Sequence, residues 1–466
     1  MSSANAVSSA SLTGSSTQAQ RLDLVGRILA FLRWDQAALD EYDTHRHQGP
    51  RRKLQTWQLI VGLIAHCLPM AGRFSKCMQQ YFGMSLSDSA LSQRRQQLGP
   101  DLFTLIMEET LRPLADAAVH PGCFLGALRL VGIDGTTWSV SNTPQHLARI
   151  AKAKTRRGCA AFAKIAMSAL VELGTHAPLR AVLGLDKESE LSLSAALLDH
   201  LPPGSLLILD RLYGQAPMLA QLQAKCRAQQ EQHFLVRVRM KLGVKIINLL
   251  EDGSAMVEVA LRDKAKTRRV LQSLRVREVR GRVWKRSENK WVDVRLWTSL
   301  SVEQATAKEL ISLYARRWEQ ELFYRELKLQ VAGGDLLGSN TPETAQQEIA
   351  ALLIASALVA EERLAVAAEA GGEVEAAGAV RISLSLCLEH TQALWFVLSH
   401  AQGLMDEAAQ RELVRRMRQQ TAALALPPRR KRSCARRVRQ PVKKWPRMFT
   451  PCSQSSTIQY ELCTFP

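Results

Sequence analysis

Several familiar signatures are missing from this chain of 466 residues. Its nine cysteines, at 67, 77, 123, 159, 226, 387, 434, 452 and 463, are scattered and odd in number, and none forms a Cys-x-x-Cys pair. That excludes a zinc ribbon and a disulfide frame and points to reduced thiols. No Walker loop, dinucleotide glycine motif or His-Glu-x-x-His is present, which sets aside the common nucleotide-binding and zinc-protease classes. His120, His146, His176 and His200 share no spacing that suits a metal. The most apolar stretches, "LIVGLIAHCLPMAG" and "IAALLIASALVA", fall short of the roughly 18 residues a membrane span needs. The first twenty residues have neither a basic start nor an apolar run, so no signal peptide is expected, and a bacterial cytoplasmic, nucleoid-associated protein is. Acidic residues are scarce: 43 Asp and Glu face 62 Lys and Arg, a net charge of +19 with a pI near 9.8. Such an excess favours a polyanionic partner, nucleic acid ahead of an anionic membrane surface.

What is present divides the chain into stretches of different periodicity. Hydrophobic residues make up 46%, enough for a sizeable core. Residues 1–20 are rich in Ser, Ala and Thr and are expected to be disordered. Residues 21–125 have helical apolar spacing and form a candidate DNA-binding domain. Within it, Ser87 or Asp88 caps a short helix carrying Arg94 and Arg95, either the reading helix of a helix-turn-helix or a bundle helix. From 126 to 239 apolar strands alternate with helices, the pattern of an α/β core with a mixed sheet. Residues 240–300 alternate with period two and predict a β-rich insertion with one strongly basic face. Helical spacing resumes over 301–364, and an Ala, Gly and Glu stretch at 365–380 is expected to be a mobile connection. C-terminal helices over 381–426 and a basic tail over 427–466 complete the chain.

Within this frame, "YARRWEQELFYRELK", residues 314–328, has polar residues oddly chosen for a solvent face. On a regular α-helix of 100° per residue, Tyr314, Arg317, Glu321, Arg325 and Lys328 fall on one narrow stripe. Two readings are open: a surface salt-bridge stripe, or a carboxylate that holds a cation while Arg and Lys grip phosphates. Asp134 follows the apolar run "RLVGI" and Asp210 follows "SLLIL", so both are expected just past buried strands, where α/β sites tend to lie. Asp134 also reads as an Asp-Gly turn former. Two strand-end carboxylates and one on a helix suit paired Mg²⁺ ions, which stabilise attacking and leaving oxygens in phosphoryl displacement.

Tyr314-x2-Arg317-x3-Glu321-x6-Lys328 resembles the Tyr-Arg-Glu-Lys signature of transposases of the insertion sequence four family. "GIDGTTW" and "LILDRLYG" resemble that family's two aspartate motifs, and "LLGSNTPETAQQEIAALLIA" resembles the segment after the signature. The resemblance spans roughly 55 to 445 and implies an RNase H-like mixed-sheet core with a β-rich insertion and helical regions at both ends. It implies Asp134, Asp210 and Glu321 as the catalytic, metal-binding trio, holding two Mg²⁺ ions that Mn²⁺ can replace. Tyr314, Arg317, Arg325 and Lys328 would hold DNA phosphates. The implied partners are double-stranded DNA, as terminal inverted repeats and target, and a second copy of the chain in a homodimeric DNA complex; no membrane is implied. Two positions depart from the family pattern. Leu212 stands where the second motif usually has Gly, and Val294 stands where some relatives place a base-stabilising Trp, with Trp291 and Trp297 nearby. The basic tail, with Trp445, suits phosphate contact and stacking.

Overall fold

The computed structural model describes residues 22–44, 53–68, 73–155, 158–185, 188–228, 231–263, 269–285, 289–401, 403–427 and 460–463. The expectations for residues 1–20 and for the basic tail from Arg429 to Arg447 lie outside the described residues. Six helices open the fold: α1 (Leu24–Leu32), α2 (Gln36–Thr44), α3 (Thr56–Cys67), α4 (Phe74–Phe82), α5 (Asp88–Leu98) and α6 (Asp101–Thr110). Ser87 caps α5 by accepting from the Ala90 amide, as the sequence indicates. The helix-turn-helix reading fails, because both arginines of α5 are committed to the protein interior. Arg94 is buried and donates to the Thr56 hydroxyl at 2.9 Å. Arg95 bonds Gln347, Ser339 and the Thr344 carbonyl, tying α5 to a helix some 250 residues later. α5 is a bundle helix.

The core strands are β1 (Leu128–Val140), β2 (Ala163–Glu172), β3 (Ala177–Gly184), β4 (Ser205–Leu209) and β5 (Gln232–Arg237). Helix α7 (Glu190–Leu197) joins β3 to β4, and α8 (Ala216–Ala228) joins β4 to β5. The insertion supplies β6 (Lys245–Leu249), β7 (Ala255–Arg262), β8 (Val270–Lys285) and β9 (Lys290–Thr298). Across the sheet the order is 3-2-1-4-5-9-8-7-6. β1, β2 and β3 pair antiparallel, while β4 runs parallel to β1 and β5 parallel to β4. The first five strands thus have the RNase H-like topology, and the insertion continues the same sheet from the edge of β5 through β9. β4 reads "SLLIL" and is buried throughout, as expected of a parallel strand covered on both faces.

After the sheet come α9 (Ala307–Leu313), α10 (Trp318–Glu326), α11 (Pro342–Ala370), α12 (Leu384–His400) and α13 (Glu407–Ala422). α11 is buried almost all round and shares one apolar cluster with the N-terminal helices and one sheet face. The expected mobile connection at 365–380 is instead structured. α11 continues to Ala370, a further turn spans Gly372–Ala376, and Val366, Ala367 and Ala379 are buried. Alanine is the strongest helix former, and burial on one side removes the case for a loose linker.

The insertion is less uniformly basic on its surface than its sequence suggests. Arg277 is buried and donates to Asp252, Ser254 and the carbonyls of Leu300, Ser301 and Ala305. Arg295 is equally buried against Glu278, which also accepts from the Trp297 indole at 2.7 Å. Arg275 and Arg282 remain on the wet side. Trp297 and Val294 are therefore ordinary strand packing, while Trp291 stacks edge-on with Trp284 at 5.4 Å.

Candidate active site

Two of the acidic residues meet through sheet register alone. The parallel pairing of β1 and β4 ends at Gly132 opposite Ile208, and two residues farther along each chain come Asp134 and Asp210. Side chains two apart point to the same face, and neighbouring strands lie about 4.8 Å apart, so the two carboxylates emerge side by side. Asp134 does not end its strand in a turn. β1 runs on to Val140, paired with β2 as Asp134 opposite Ala169 and Gly135 opposite Ser168. Gly135 instead leaves room for a neighbouring side chain: a Cβ there would lie 2.3 Å from Cδ of Glu190. β4 does stop before Asp210, whose carboxylate accepts from the Leu212 amide in an Asx-type turn. This turn accommodates Leu212. The tight glycine is Gly214, where a Cβ would lie 2.2 Å from the Arg237 carbonyl oxygen.

The helical residues come from a segment that changes pitch twice. Tyr314–Arg317 is a 3₁₀ turn, α10 follows, and Leu327–Val331 is a π turn. The single stripe expected of a regular helix is therefore broken. α10 lies along β1 and β2 through residues four apart. Gln320 donates to the Ala169 carbonyl at 3.3 Å, the Tyr324 hydroxyl to the Asp134 carbonyl, and the Lys328 ammonium to the Thr137 carbonyl at 2.6 Å. Lys328 also sits 5.3 Å from the Trp138 ring centroid, and burial lowers its pKa. The other side of α10 is clamped. Glu319 accepts from the Gly174 amide at 2.6 Å, and Glu326 takes His176 at 2.7 Å and Arg363 at 3.2 Å, all of them buried.

On the flank between these contacts, Arg317 forms an ion pair with Glu321, four residues on. Arg317 also lies in the field of Asp134, as does the half-buried Tyr314, whose hydroxyl is within the electrostatic reach of Arg317, Arg237, Asp210 and Asp134. Burial pushes the Tyr314 hydroxyl up to about 12, so it remains a donor. Arg325 is half-buried, and its Nε has no hydrogen-bond partner among the described residues. Asp134, Asp210, Tyr314, Arg317 and Glu321 thus form one electrostatic neighbourhood, from which Lys328 has turned away toward β1.

Sequence reasoning missed four residues here. Glu190 opens α7, Tyr213 follows Asp210 by three, Tyr324 bonds the Asp134 backbone, and Arg237 ends β5. The Tyr213 hydroxyl donates to Glu190 Oε1 at 2.9 Å. Ser194 lies 3.1 Å from that hydroxyl and 2.7 Å from Ser168, which donates to the Asp134 carbonyl at 3.3 Å. The signal for Glu190 was topological. β3 runs parallel to β1, so the helix after it begins at the same sheet edge as the two aspartates.

The donor set is all carboxylate oxygen, the chemistry of a hard divalent cation. Burial pushes the Asp134 carboxyl up to about 7, with Glu190 and Asp210 adding to the rise and the Gly135 amide and Arg317 opposing it. That is the environment of an anion whose compensating charge is incomplete. Among the described residues no three His, Cys, Asp or Glu side chains are gathered around one point. The expected third ligand, Glu321, is held by Arg317.

The family model described as "Transposase DDE domain" matches residues 126–358. "Transposase InsG for insertion sequence element IS4" of Escherichia coli (strain K12) is 28% identical over 275 residues, covering 59% of this chain and 60% of that protein. A solved structure, the "Cryo-EM structure of piggyBac transposase synaptic complex with hairpin DNA", aligns at 10% identity and a TM-score of 0.40, over 88% of this chain and 84% of that one. No helix among the described residues is long and apolar enough to cross a membrane. With the family model covering the whole two-aspartate core and the helix of Glu321, this chain belongs to the transposase DDE-domain family.

Proposed function

We propose that this chain is an insertion-sequence transposase of the insertion sequence four family, which cleaves double-stranded DNA at transposon ends and joins the freed ends to target DNA. The supporting observation is that Asp134 and Asp210 each lie two residues past the last parallel pair of two adjacent strands, with Arg317 and Tyr314 in their electrostatic field and Glu321 ion-paired to Arg317. Asp134, Asp210 and Glu321 are the residues that would hold divalent cations, two Mg²⁺ with Mn²⁺ as a substitute. Bound there, the cations would supply nucleophile activation and neutralise charge developing at phosphorus.

The remaining work belongs to the protein. Arg317 presents a planar guanidinium suited to a phosphate and is ion-paired with Glu321. A phosphate that takes Arg317 would free Glu321 to turn toward the aspartates and join a cation they hold. The Tyr314 hydroxyl, half-buried beside Arg317, donates to the same phosphate. Arg325 and Lys328 extend the grip along the strand, Lys328 after leaving the Thr137 carbonyl. The N-terminal helices of 21–125 are assigned to end recognition and the basic tail of 427–466 to phosphate contact and stacking, and joining two ends to one target calls for a homodimer on DNA.

Glu321→Ala tests this. It should abolish strand cleavage of a terminal-repeat duplex in Mg²⁺ while retaining gel-shift binding to that duplex. The wild type, given a pre-cut end and a plasmid, should yield joined products. Full cleavage by the variant overturns the assignment of Glu321, and cutting without joining by the wild type reduces the protein to a nuclease.

A further inference from the structure

Glu190 has no part in the acidic trio, yet the fold goes to some length to place it. It is the first residue of α7, capped by Ser189, and α7 starts at the sheet edge where β1 and β4 present Asp134 and Asp210. Its carboxyl group lies in the space that a side chain at residue 135 would fill, directly beside the residue after Asp134. One of its oxygens is oriented by the hydroxyl of Tyr213, a fully buried ring on the turn that follows Asp210. The same hydroxyl connects through Ser194 and Ser168 to the Asp134 carbonyl. The carboxylate is thus tied to both aspartate segments and fixed in orientation by a donor that burial keeps protonated.

We propose that Glu190 is a fourth carboxylate of the Asp134 and Asp210 centre, a positioning residue whose negative charge, held by Tyr213, helps draw the divalent cation to the two aspartates. This rests on the function proposed above. Glu190 acts from behind Asp134, strengthening the attraction for a cation bound in front. The effect is coulombic: one unit of negative charge near a divalent cation in partly buried surroundings changes its affinity on the order of tenfold.

The test measures Mn²⁺ affinity of the full-length protein without DNA, by the loss of free-ion paramagnetic resonance signal, so no catalysis is needed. Glu190→Gln keeps an acceptor for Tyr213 and removes the charge, and should weaken Mn²⁺ binding by about tenfold. Glu190→Asp keeps the charge and should stay within about threefold of wild type. Thermal melts without cation check that both variants fold, and Tyr213→Phe, which frees the carboxylate to turn, should fall between them. Equal affinity of Glu190→Gln and wild type overturns the proposal. Equal losses in Glu190→Gln and Glu190→Asp also overturn it, since shape and not charge would then matter. Asp210→Ala separates this from the parent reading: if it binds Mn²⁺ as well as wild type, the cation centre itself is misassigned.

Discussion

Replacing Asp134 by Asn should make the cation-free protein more stable at alkaline pH while destroying its chemistry. In the folded chain the Asp134 carboxyl is pushed up to about 7, first by burial and then by Glu190 and Asp210, from an ordinary value of 3.8. Between those two values the native state holds a proton that the unfolded chain has released, so stability falls as pH rises through that window. The cost is absent below about pH 4 and complete above about pH 7. At 1.36 kcal/mol per pH unit, the gap amounts to about 4 kcal/mol at pH 8 and about 2 kcal/mol at pH 5. Asparagine has similar shape and no charge, so the variant escapes this cost. For a domain of this size it should melt on the order of 5–15 °C above wild type at pH 8 without cation, and the difference should shrink steadily toward pH 4. Adding Mn²⁺ at millimolar concentration should raise the wild type and leave the variant in place, closing the gap from the other side. Scanning calorimetry at pH 5, 6.5 and 8, with and without Mn²⁺, provides the six values needed. A variant no more stable than wild type at pH 8, or a difference independent of pH, would refute the view of Asp134 as a carboxylate awaiting charge compensation.

Three further outcomes follow from the same contacts. Arg95→Ala should cost about 3 kcal/mol in urea unfolding, because its guanidinium satisfies Gln347, Ser339 and the Thr344 carbonyl at once, and binding of the folded variant to terminal-repeat DNA should be unchanged. Gly135→Ala drives a methyl group into the Glu190 carboxyl, so a loss of about 1–3 kcal/mol is expected, measured by the same unfolding curve, and the double variant with Glu190→Ala should recover most of it. Lys328→Met removes the donor to Thr137 while keeping the stem over Trp138, and should cost no more than about 1.5 kcal/mol in the DNA-free protein.

Much of the fold is legible in the sequence, for a physical reason. Parallel strands covered on both faces leave continuous apolar runs, and "SLLIL" became β4 with every residue buried. The two-residue alternation that begins at Ala255 became β7, one face core and the other partly exposed, whereas β9 alternates in sequence but is buried on both faces from Val294 to Thr298. What the residues could not convey was the use of their polar members. Arg94, Arg95, Arg277 and Arg295 look like surface cations in any window of the chain, yet Arg94, Arg277 and Arg295 are buried and Arg95 half-buried, bonded to partners 17 to about 250 residues away. Pairing at that separation leaves no periodic trace.

The candidate site was read from the same kind of regular pattern, and the structure departs from that pattern in a similar way. Asp134, Asp210 and Glu321 stand out because each is a carboxylate at an unusual point of a regular element, and Tyr314 and Arg317 because they share a face with Glu321. Regular geometry then went too far: it carried the stripe through to Lys328, whereas the 3₁₀ and π turns on either side of α10 rotate that residue onto β1. Glu190 shows the complementary failure. In "KESELSL" it is an unremarkable acid in a helix's first turn, a position where the helix dipole alone favours a carboxylate. Only the order 3-2-1-4-5 brings the start of that helix to the edge that carries the aspartates, and only the missing side chain of Gly135 lets the carboxyl approach. A glycine read as a turn former was in fact clearance for an acid 55 residues away, and that pairing is visible solely in three dimensions.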